Sequence, residues 1–279
     1  MLKEVYLDAL RNREYKMSKI KDSGYDAILS EASSRWVAYE PAPEKCESAG
    51  IDSSWNKRAF QGLNLYVIDA VAITSTNEIL ATDHVYDISE SARQEALESK
   101  AMLMEAQLAQ KVPEKKNVDI ICIDGSLISR LTRSTADAAA DMVKRCGKAI
   151  FISKSSESRL QFSSLESKAG DIYYYGHATK SAAGFSAPVQ TQLRYANVYE
   201  VYTRLRDHAP IVRVEVVGAT GEQEVKQLLN KLRYHSVAGY PYCLKLAHNN
   251  CKITNEDIDR LASIFNLHLE HGARDALNE

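Results

Sequence analysis

The order of hydrophobic patterns between residues 63 and 153 restricts the fold more strongly than any other property of this chain. Two stretches rich in β-branched residues, LNLYVIDAVAITST and EILATDHVYDI, meet at the turn-like pair Thr76-Asn77 and predict a long hairpin. A helix-spaced segment, the apolar run VDIICID, a second helix and the short run KAIFISK follow in that order. A hairpin followed by alternating helices and strands predicts an α/β fold in which helices flank a mixed β-sheet.

The first helix of this series is expected within SARQEALESKAMLMEAQLAQK, where Leu97, Ala101, Met104 and Leu108 recur at helical spacing. Pro113 lies just past its expected end. Residues 1–60 have a helical and loop-like pattern that closes in the turn-rich PAPEKCESAGIDSS. We therefore predict a helical N-terminal appendage over residues 1–60 and one main domain over residues 61–279.

The composition excludes several classes of protein. Apolar residues make up 45% of the 279 residues, and no apolar stretch is long enough to span a bilayer. The N-terminus is charged from its third residue, so we expect a cytoplasmic protein without a membrane partner. The five scattered cysteines form no CxxC pair and predict neither a disulfide framework nor a thiolate metal site. The net charge of −2 means that any contact with nucleic acid needs a local basic surface.

Asp124 has an unusual position, because four apolar residues lead directly to it in IICIDGSLISR. Asp69 lies in the first strand of the hairpin, and the two carboxylates would meet if their strands were neighbours. Glu95, Glu98 and Glu105 on the intervening helix could lean over them. Clustered carboxylates repel one another, and a bound Mg²⁺ or Mn²⁺ relieves the repulsion. The alternative is that Asp124 only caps the turn that follows it.

Two further stretches carry polar side chains suited to such a site. GYPYCLKLAH contains Tyr240 and His248 in mostly apolar surroundings, although each residue alone is typical of packing. Lys154 follows the short strand in ISKSS and could pair with a phosphate, or simply be a solvated lysine at the end of a strand.

Taken together, these motifs resemble the NurA family of archaeal and bacterial nucleases, which process DNA ends with the HerA translocase. The resemblance runs from VIDAVAI through the acidic helix, IDGSL, ISKSS and VYTRL…APIVRVE to GYPY-C-L…AH, over roughly residues 60–265. Two positions depart from the family pattern. Ala70-Val71 replace the usual Gly-Ser after the aspartate, and Cys243 replaces the usual second proline.

The resemblance implies an RNase H-like nuclease domain over residues 61–279, a homodimer and a HerA-type hexameric ATPase as partner. It implies cleavage of single-stranded DNA and duplex ends, with 5′–3′ exonuclease and single-strand endonuclease activity, in end resection and double-strand break repair. One or two Mn²⁺ ions per subunit, or Mg²⁺, would serve as cofactor. The implied metal ligands and catalytic residues are Asp69, Glu98 (or Glu105), Asp124 and His248, with Tyr240 also catalytic. From their chemistry alone, Tyr240 and Lys154 could contact DNA at a phosphate.

Two other functions compete with this one. The first is a catalytically weak NurA-like subunit that keeps the fold and the partner surface and acts as a DNA-binding or partner-binding module. The replacement of the usual Gly-Ser by Ala70-Val71 is compatible with this alternative. An unrelated α/β phosphohydrolase is the second alternative. The chain has neither a GxxxxGK[ST] loop nor a GxGxxG motif, which argues against nucleotide-binding machinery of the common kinds.

Overall fold

The computed structural model of the chain describes residues 2–21, 24–131, 135–147, 149–218 and 220–267. In these ranges no helix combines the length and the apolar character that crossing a membrane requires. The helices are α1 (Leu2–Ser18), α2 (Tyr25–Ser34), α3 (Gln94–Lys115), α4 (Leu127–Leu131), α5 (Ala136–Arg145), α6 (Asp171–Ala178), α7 (Glu222–Tyr234), α8 (Tyr242–Cys251) and α9 (Asn255–Ile264), with a 3-10 helix at Ser163–Leu165.

The strands of the main sheet are β1 (Trp36–Ala38), β2 (Ser48–Phe60), β3 (Leu63–Thr74), β4 (Ile79–Ser89), β5 (Ile120–Asp124), β6 (Ala149–Ser153), β7 (Gly184–Ser186), β8 (Val189–Gln192), β9 (Asn197–Arg204) and β10 (Val212–Val217). Their order is β1-β7-β9-β10-β6-β5-β2-β3-β4, and β8 pairs with β9. β5 is parallel to both β2 and β6, and the other pairs are antiparallel. A separate short hairpin joins β11 (Ser236–Val237) to β12 (Tyr240–Pro241).

Helices cover both faces of the sheet, as predicted. On one face, Ile51 and Ile123 belong to a core that also contains Leu97 and Leu108 of α3. On the other face, Cys122 packs in a core with Leu229 of α7 and Leu244 of α8. Because alternate residues of a strand point to opposite faces, β5 contributes to both cores and is buried from Ile120 to Ile123. The predicted mixed sheet flanked by helices is confirmed.

The predicted hairpin is also confirmed. β3 and β4 pair in antiparallel register from Asn64–Ser89 to Ile73–Ile79, and Asn77 adopts the left-handed conformation (φ 68°) in the connecting turn.

The turn-rich segment before residue 60 was predicted wrongly. Ser48–Phe60 form β2, a central strand between β5 and β3. Its first residues, Ser48 to Asp52, are buried although the flanking sequence is rich in turn-forming residues. Pairing with strands on both sides outweighs the low intrinsic strand preference of Gly, Asp and Ser. The division of the chain into an appendage and a main domain stays a prediction.

Pro113 does not end its helix, contrary to the prediction. α3 continues to Lys115 with Pro113 inside it. A proline has no N–H to donate, so the carbonyl of Ala109 loses its usual partner one turn later. The thiol of Cys146 donates to this carbonyl instead, at 3.1 Å. A contact from outside the helix thus supplies the missing donor.

Candidate active site

The candidate site lies at the carboxyl end of β5, where the longer strand β2 continues beside it. Ile51 of β2 is paired with Ile123 of β5, and the next residue of each strand is an aspartate, Asp52 in β2 and Asp124 in β5. A cavity of about 470 Å³ opens here, and α3 forms one of its walls. Its lining includes four acidic side chains and two cationic ones: Asp52, Glu98, Glu105, Asp124, Arg130 and Lys154.

Glu105 reaches this end of the sheet from α3. Its side chain is buried, with a residue exposure of 4%. One carboxylate oxygen accepts a hydrogen bond from the hydroxyl of Ser53, and the other pairs with the guanidinium of Arg130. The same nitrogen of Arg130 donates to the main-chain carbonyl of Asp124 at 2.7 Å. Arg130 therefore connects α3 to the end of β5.

Burial and charge raise the pKa of Asp52 to about 8. The largest cause is loss of solvent around the carboxylate, followed by the negative charges of Asp124 and Glu105. A group of this kind is stabilised as an anion when a cation binds beside it. The oxygen-rich donor set of Asp52, Glu105 and Asp124 fits a hard divalent ion such as Mn²⁺ or Mg²⁺.

In the described arrangement these carboxylates contact cationic and polar side chains. Asp124 lies 3.3 Å from the ammonium of Lys154 and accepts a hydrogen bond from the hydroxyl of Tyr240 at 3.2 Å. Among the described residues, no three His, Cys, Asp or Glu side chains form a ready ligand group. The fit to a metal ion therefore rests on the chemistry and charge of the donors.

α8 brings His248 to the same end of the sheet. Its Nδ1 atom lies 3.0 Å from a carboxylate oxygen of Asp52, and its side chain is 51% exposed. Gly50 permits this approach, because a Cβ atom there would clash with the main chain of Cys243 and lie 2.7 Å from the nitrogen of Leu244. α8 can pack closely on β2 only because residue 50 has no side chain.

Tyr240 enters from the short strand that precedes α8. Burial, together with the charge of Asp124, raises the pKa of its phenol. The hydroxyl therefore keeps its proton at neutral pH and donates a hydrogen bond to Asp124. The ammonium of Lys154 lies 5.1 Å from the centre of the Tyr240 ring, within the range of a cation–π contact. Lys154, Tyr240 and Asp124 form one connected group.

The structure brings together Asp124, Tyr240, His248 and Lys154 from the set predicted by sequence. Glu98 lines the same cavity but lies about two helix turns from Glu105, and its carboxylate accepts a hydrogen bond from Gln94 at 2.8 Å. Glu105 was the alternative to Glu98 as the predicted metal ligand on this helix. It is the glutamate whose negative charge raises the pKa of Asp52.

Asp69 lies outside this group of contacts. Asp69 and Asp124 were expected to meet only if their strands were neighbours, and β2 lies between β3 and β5. Asp69 is paired with Ser54 on one side and with His84 on the other. Burial raises the pKa of its carboxyl group, and the nearby charges that act on it are those of His84 and Asp83. The condition for a meeting of Asp69 and Asp124 is therefore not fulfilled.

Asp52 was missed in the sequence, although a signal for it existed. Gly-Ile-Asp-Ser-Ser at residues 50–54 repeats the pattern of Cys-Ile-Asp-Gly-Ser at residues 122–126, with a buried isoleucine directly before the aspartate. The turn-forming residues around Asp52 concealed the strand that carries it.

Comparisons with known proteins point to a single protein family. The profile of the NurA domain family matches residues 47–253. The DNA double-strand break repair nuclease NurA of Sulfolobus acidocaldarius is 23% identical over an alignment of 331 residues that covers 96% of each chain. The corresponding nuclease of Saccharolobus solfataricus is 31% identical over 72 residues, which are 26% of this chain and 21% of that protein.

Solved structures extend the likeness to the whole fold. The crystal structure of the NurA nuclease from Sulfolobus solfataricus superposes with a TM-score of 0.84 at 20% identity, covering 98% of this chain and 99% of that one. A crystal structure of NurA bound to dAMP and manganese gives a TM-score of 0.68 at 10% identity and covers all of both chains. The predicted RNase H-like fold is thereby confirmed. With a family profile that matches most of its length, this chain belongs to the NurA family.

Proposed function

We propose that this chain is a manganese-dependent deoxyribonuclease that hydrolyses phosphodiester bonds in DNA. The observation that carries the proposal is the convergence of Asp52, Glu105 and Asp124 beside Tyr240, Lys154 and His248. The relatives named as double-strand break repair nucleases, and the related structure with dAMP and manganese, support the substrate and the cofactor.

Asp52, Glu105 and Asp124 would hold one or two Mn²⁺ ions, and His248 is a further candidate ligand. Bound divalent ions activate a water molecule and stabilise the leaving oxygen in phosphodiester hydrolysis. His248 presents a half-exposed ring whose Nδ1 is held by Asp52, so the other ring nitrogen can accept a proton or orient the attacking water. Tyr240 can donate a hydrogen bond to a phosphate oxygen, and Lys154 can neutralise developing negative charge.

The direct test is cleavage of end-labelled single-stranded and duplex DNA with Mn²⁺, with Mg²⁺ and with EDTA. We expect Mn²⁺-dependent products from the wild-type protein and none from Asp124→Ala. Labels placed separately at the 5′ and 3′ ends distinguish 5′–3′ exonuclease activity from single-strand endonuclease activity. DNA binding without Mn²⁺-dependent cleavage would instead support the alternative of a catalytically weak binding subunit.

We further propose a homodimer that acts with a HerA-type hexameric ATPase in DNA end resection. α1 supports an association of this kind, because none of its residues is buried and Leu2, Tyr6 and Leu10 are between 63% and 73% exposed. Apolar residues recurring at this helical spacing are typical of a face that packs against a partner.

Light scattering at low micromolar concentration tests the dimer, and the mass of a single chain would contradict it. Co-purification with a HerA-type ATPase, with and without α1, tests the second association. Loss of the ATPase from a variant that lacks α1 but remains dimeric would place the contact on this helix.

A further inference from the structure

α4 is a short helix that begins three residues after Asp124, and both of its ends are held by buried charges. At its start, the Glu215 carboxylate of β10 accepts a hydrogen bond from the hydroxyl of Ser126 at 2.7 Å. The second oxygen of Glu215 accepts from the main-chain N–H of Ile128 at 3.0 Å. Glu215 is 1% exposed, so no solvent competes for these contacts.

At the other end of α4, Arg130 reaches back toward the site. Arg130 is buried, with 3% of the residue exposed. Its guanidinium binds both the Glu105 carboxylate and the main-chain carbonyl of Asp124. The turn between Asp124 and α4 depends on Gly125, which has a φ of 96°. A fixed α4 therefore fixes the distance between the end of β5 and Glu105.

We propose that Glu215 is a positioning residue for the carboxylate site. It anchors the first turn of α4, and α4 in turn holds Arg130, Glu105 and Asp124 in one arrangement. Residues that orient metal ligands in this way commonly matter for metal affinity, although they do not touch the ion. The inference rests on the proposed function, because it assumes that Asp124 and Glu105 bind Mn²⁺.

The same network contains a control for a purely structural role. Arg213 lies between Glu215, at 2.8 Å, and the carboxylate of Glu200. Glu200 is 0% exposed and accepts from Gln161 at 3.2 Å and from Ser158 at 3.2 Å. Glu200 pairs with Arg213 as Glu215 does and is equally buried, but its contacts are with Arg213, Gln161 and Ser158 and not with α4. Glu200→Gln therefore removes one buried charge next to Arg213 but keeps the contacts of Glu215 with Ser126 and Ile128.

The experiment measures Mn²⁺ binding directly, by the electron paramagnetic resonance signal of the free ion, on the full-length protein. We expect Glu215→Gln to raise the dissociation constant for Mn²⁺ roughly tenfold or more. Glu200→Gln should change it by less than about threefold, at equal or greater loss of thermal stability. Ser126→Ala removes one of the two anchoring contacts and should give an intermediate increase. The Mn²⁺ concentration needed for half-maximal cleavage should follow the same order.

Several outcomes would overturn the inference. An unchanged dissociation constant in Glu215→Gln would do so while leaving the nuclease proposal intact, and so would equal losses in Glu215→Gln and Glu200→Gln. If Glu215→Gln does not fold, Ser126→Ala decides, and wild-type affinity in that variant contradicts the anchor. A wild-type protein that binds no Mn²⁺ at all would instead overturn the proposed function together with this inference.

Discussion

Asp52 and Asp124 lie at matching positions on two neighbouring parallel strands, each directly after one member of the register pair Ile51–Ile123. Matching positions point to the same face of a sheet, so the charge of Asp124 contributes to the raised pKa of Asp52. A buried carboxylate such as Asp52 is costly to ionise beside the partly exposed Asp124 unless a cation binds there. The predictions below follow from that cost and from the helices that surround the pair.

Asp124→Ala should abolish Mn²⁺-dependent cleavage while leaving the fold intact. Loss of a direct ligand should exceed the roughly 10–100-fold effect typical of residues that only orient ligands. The substitution also removes repulsion with Asp52, and the half-exposed contact to Lys154 contributes little, so the melting temperature without metal should hold or rise. Cleavage assays and thermal unfolding in EDTA measure the two effects. Wild-type activity in this variant would contradict the assignment of the site.

Asp52→Asn and Asp69→Asn form a matched pair, because both aspartates lie in long central strands. Asp52 shares the cavity with Asp124, whereas Asp69 faces His84 across the β3–β4 pair. We expect a loss of at least about 100-fold in cleavage for Asp52→Asn and less than about tenfold for Asp69→Asn. Parallel measurement of cleavage rates at saturating Mn²⁺ decides between them. A larger loss at Asp69 would restore the residue that the sequence favoured.

Glu105→Gln should impair cleavage more than Glu98→Gln, which reverses the preference drawn from the sequence. Glu105 is buried among Ser53 and Arg130, and its charge acts on Asp52, whereas Glu98 accepts from Gln94. Removal of the Glu105 charge also leaves buried Arg130 without its anionic partner, which typically costs about 3–5 kcal/mol. Mn²⁺ binding and unfolding by denaturant should therefore both change. Equal losses at the two glutamates would show that both belong to the site.

Gly50→Ala should displace α8 from β2 and weaken the contact between His248 and Asp52. The added Cβ would clash with the main chain of Cys243, and overpacking of this kind costs about 1–3 kcal/mol. Gly176→Ala is the control, because a Cβ there meets no atom within 4 Å and the residue lies inside α6. That variant should be neutral or stabilised by about 0.5–1 kcal/mol. Denaturant unfolding and cleavage assays distinguish the two variants, and an unaffected Gly50→Ala would contradict the close packing.

Asp171→Asn should change how stability depends on pH. Burial, with a smaller contribution from Glu200, raises the pKa of Asp171 to about 7 from an ordinary value of 3.8. Between these values the folded state holds a proton that the unfolded state releases, so the group makes the free energy of unfolding fall as pH rises from about 4 to 7. Asparagine cannot titrate, so the free energy of unfolding of the variant should fall less steeply than that of the wild type as the pH rises from about 4 to 7. Denaturant titrations at pH 5, 6 and 7 measure the slope, and identical slopes would contradict the shift.

Local pattern determined much of the fold. The hairpin of β3 and β4, the helix that carries Leu97 and Leu108, and the strand ending at Asp124 follow from side-chain periodicity, which acts over a few residues. The resemblance to NurA nucleases supplied the RNase H-like fold and the group of Asp124, Tyr240 and His248, and the position of Lys154 after a short strand suggested its role. Each of these positions follows from a motif at short range.

The tertiary structure decided which carboxylates meet. Strand order is set by packing across the whole sheet, and β2 rather than β3 lies beside β5, so Asp52 replaces Asp69 next to Asp124. Glu98 and Glu105 are seven residues apart and share a helix face, so only the position of α3 along the sheet brings Glu105 to Ser53 and Arg130. Likewise, Glu215 lies 87 residues from Ile128, and no local pattern joins them. Local motifs determined which types of side chain could form the site, and long-range strand pairing determined which of them lie together.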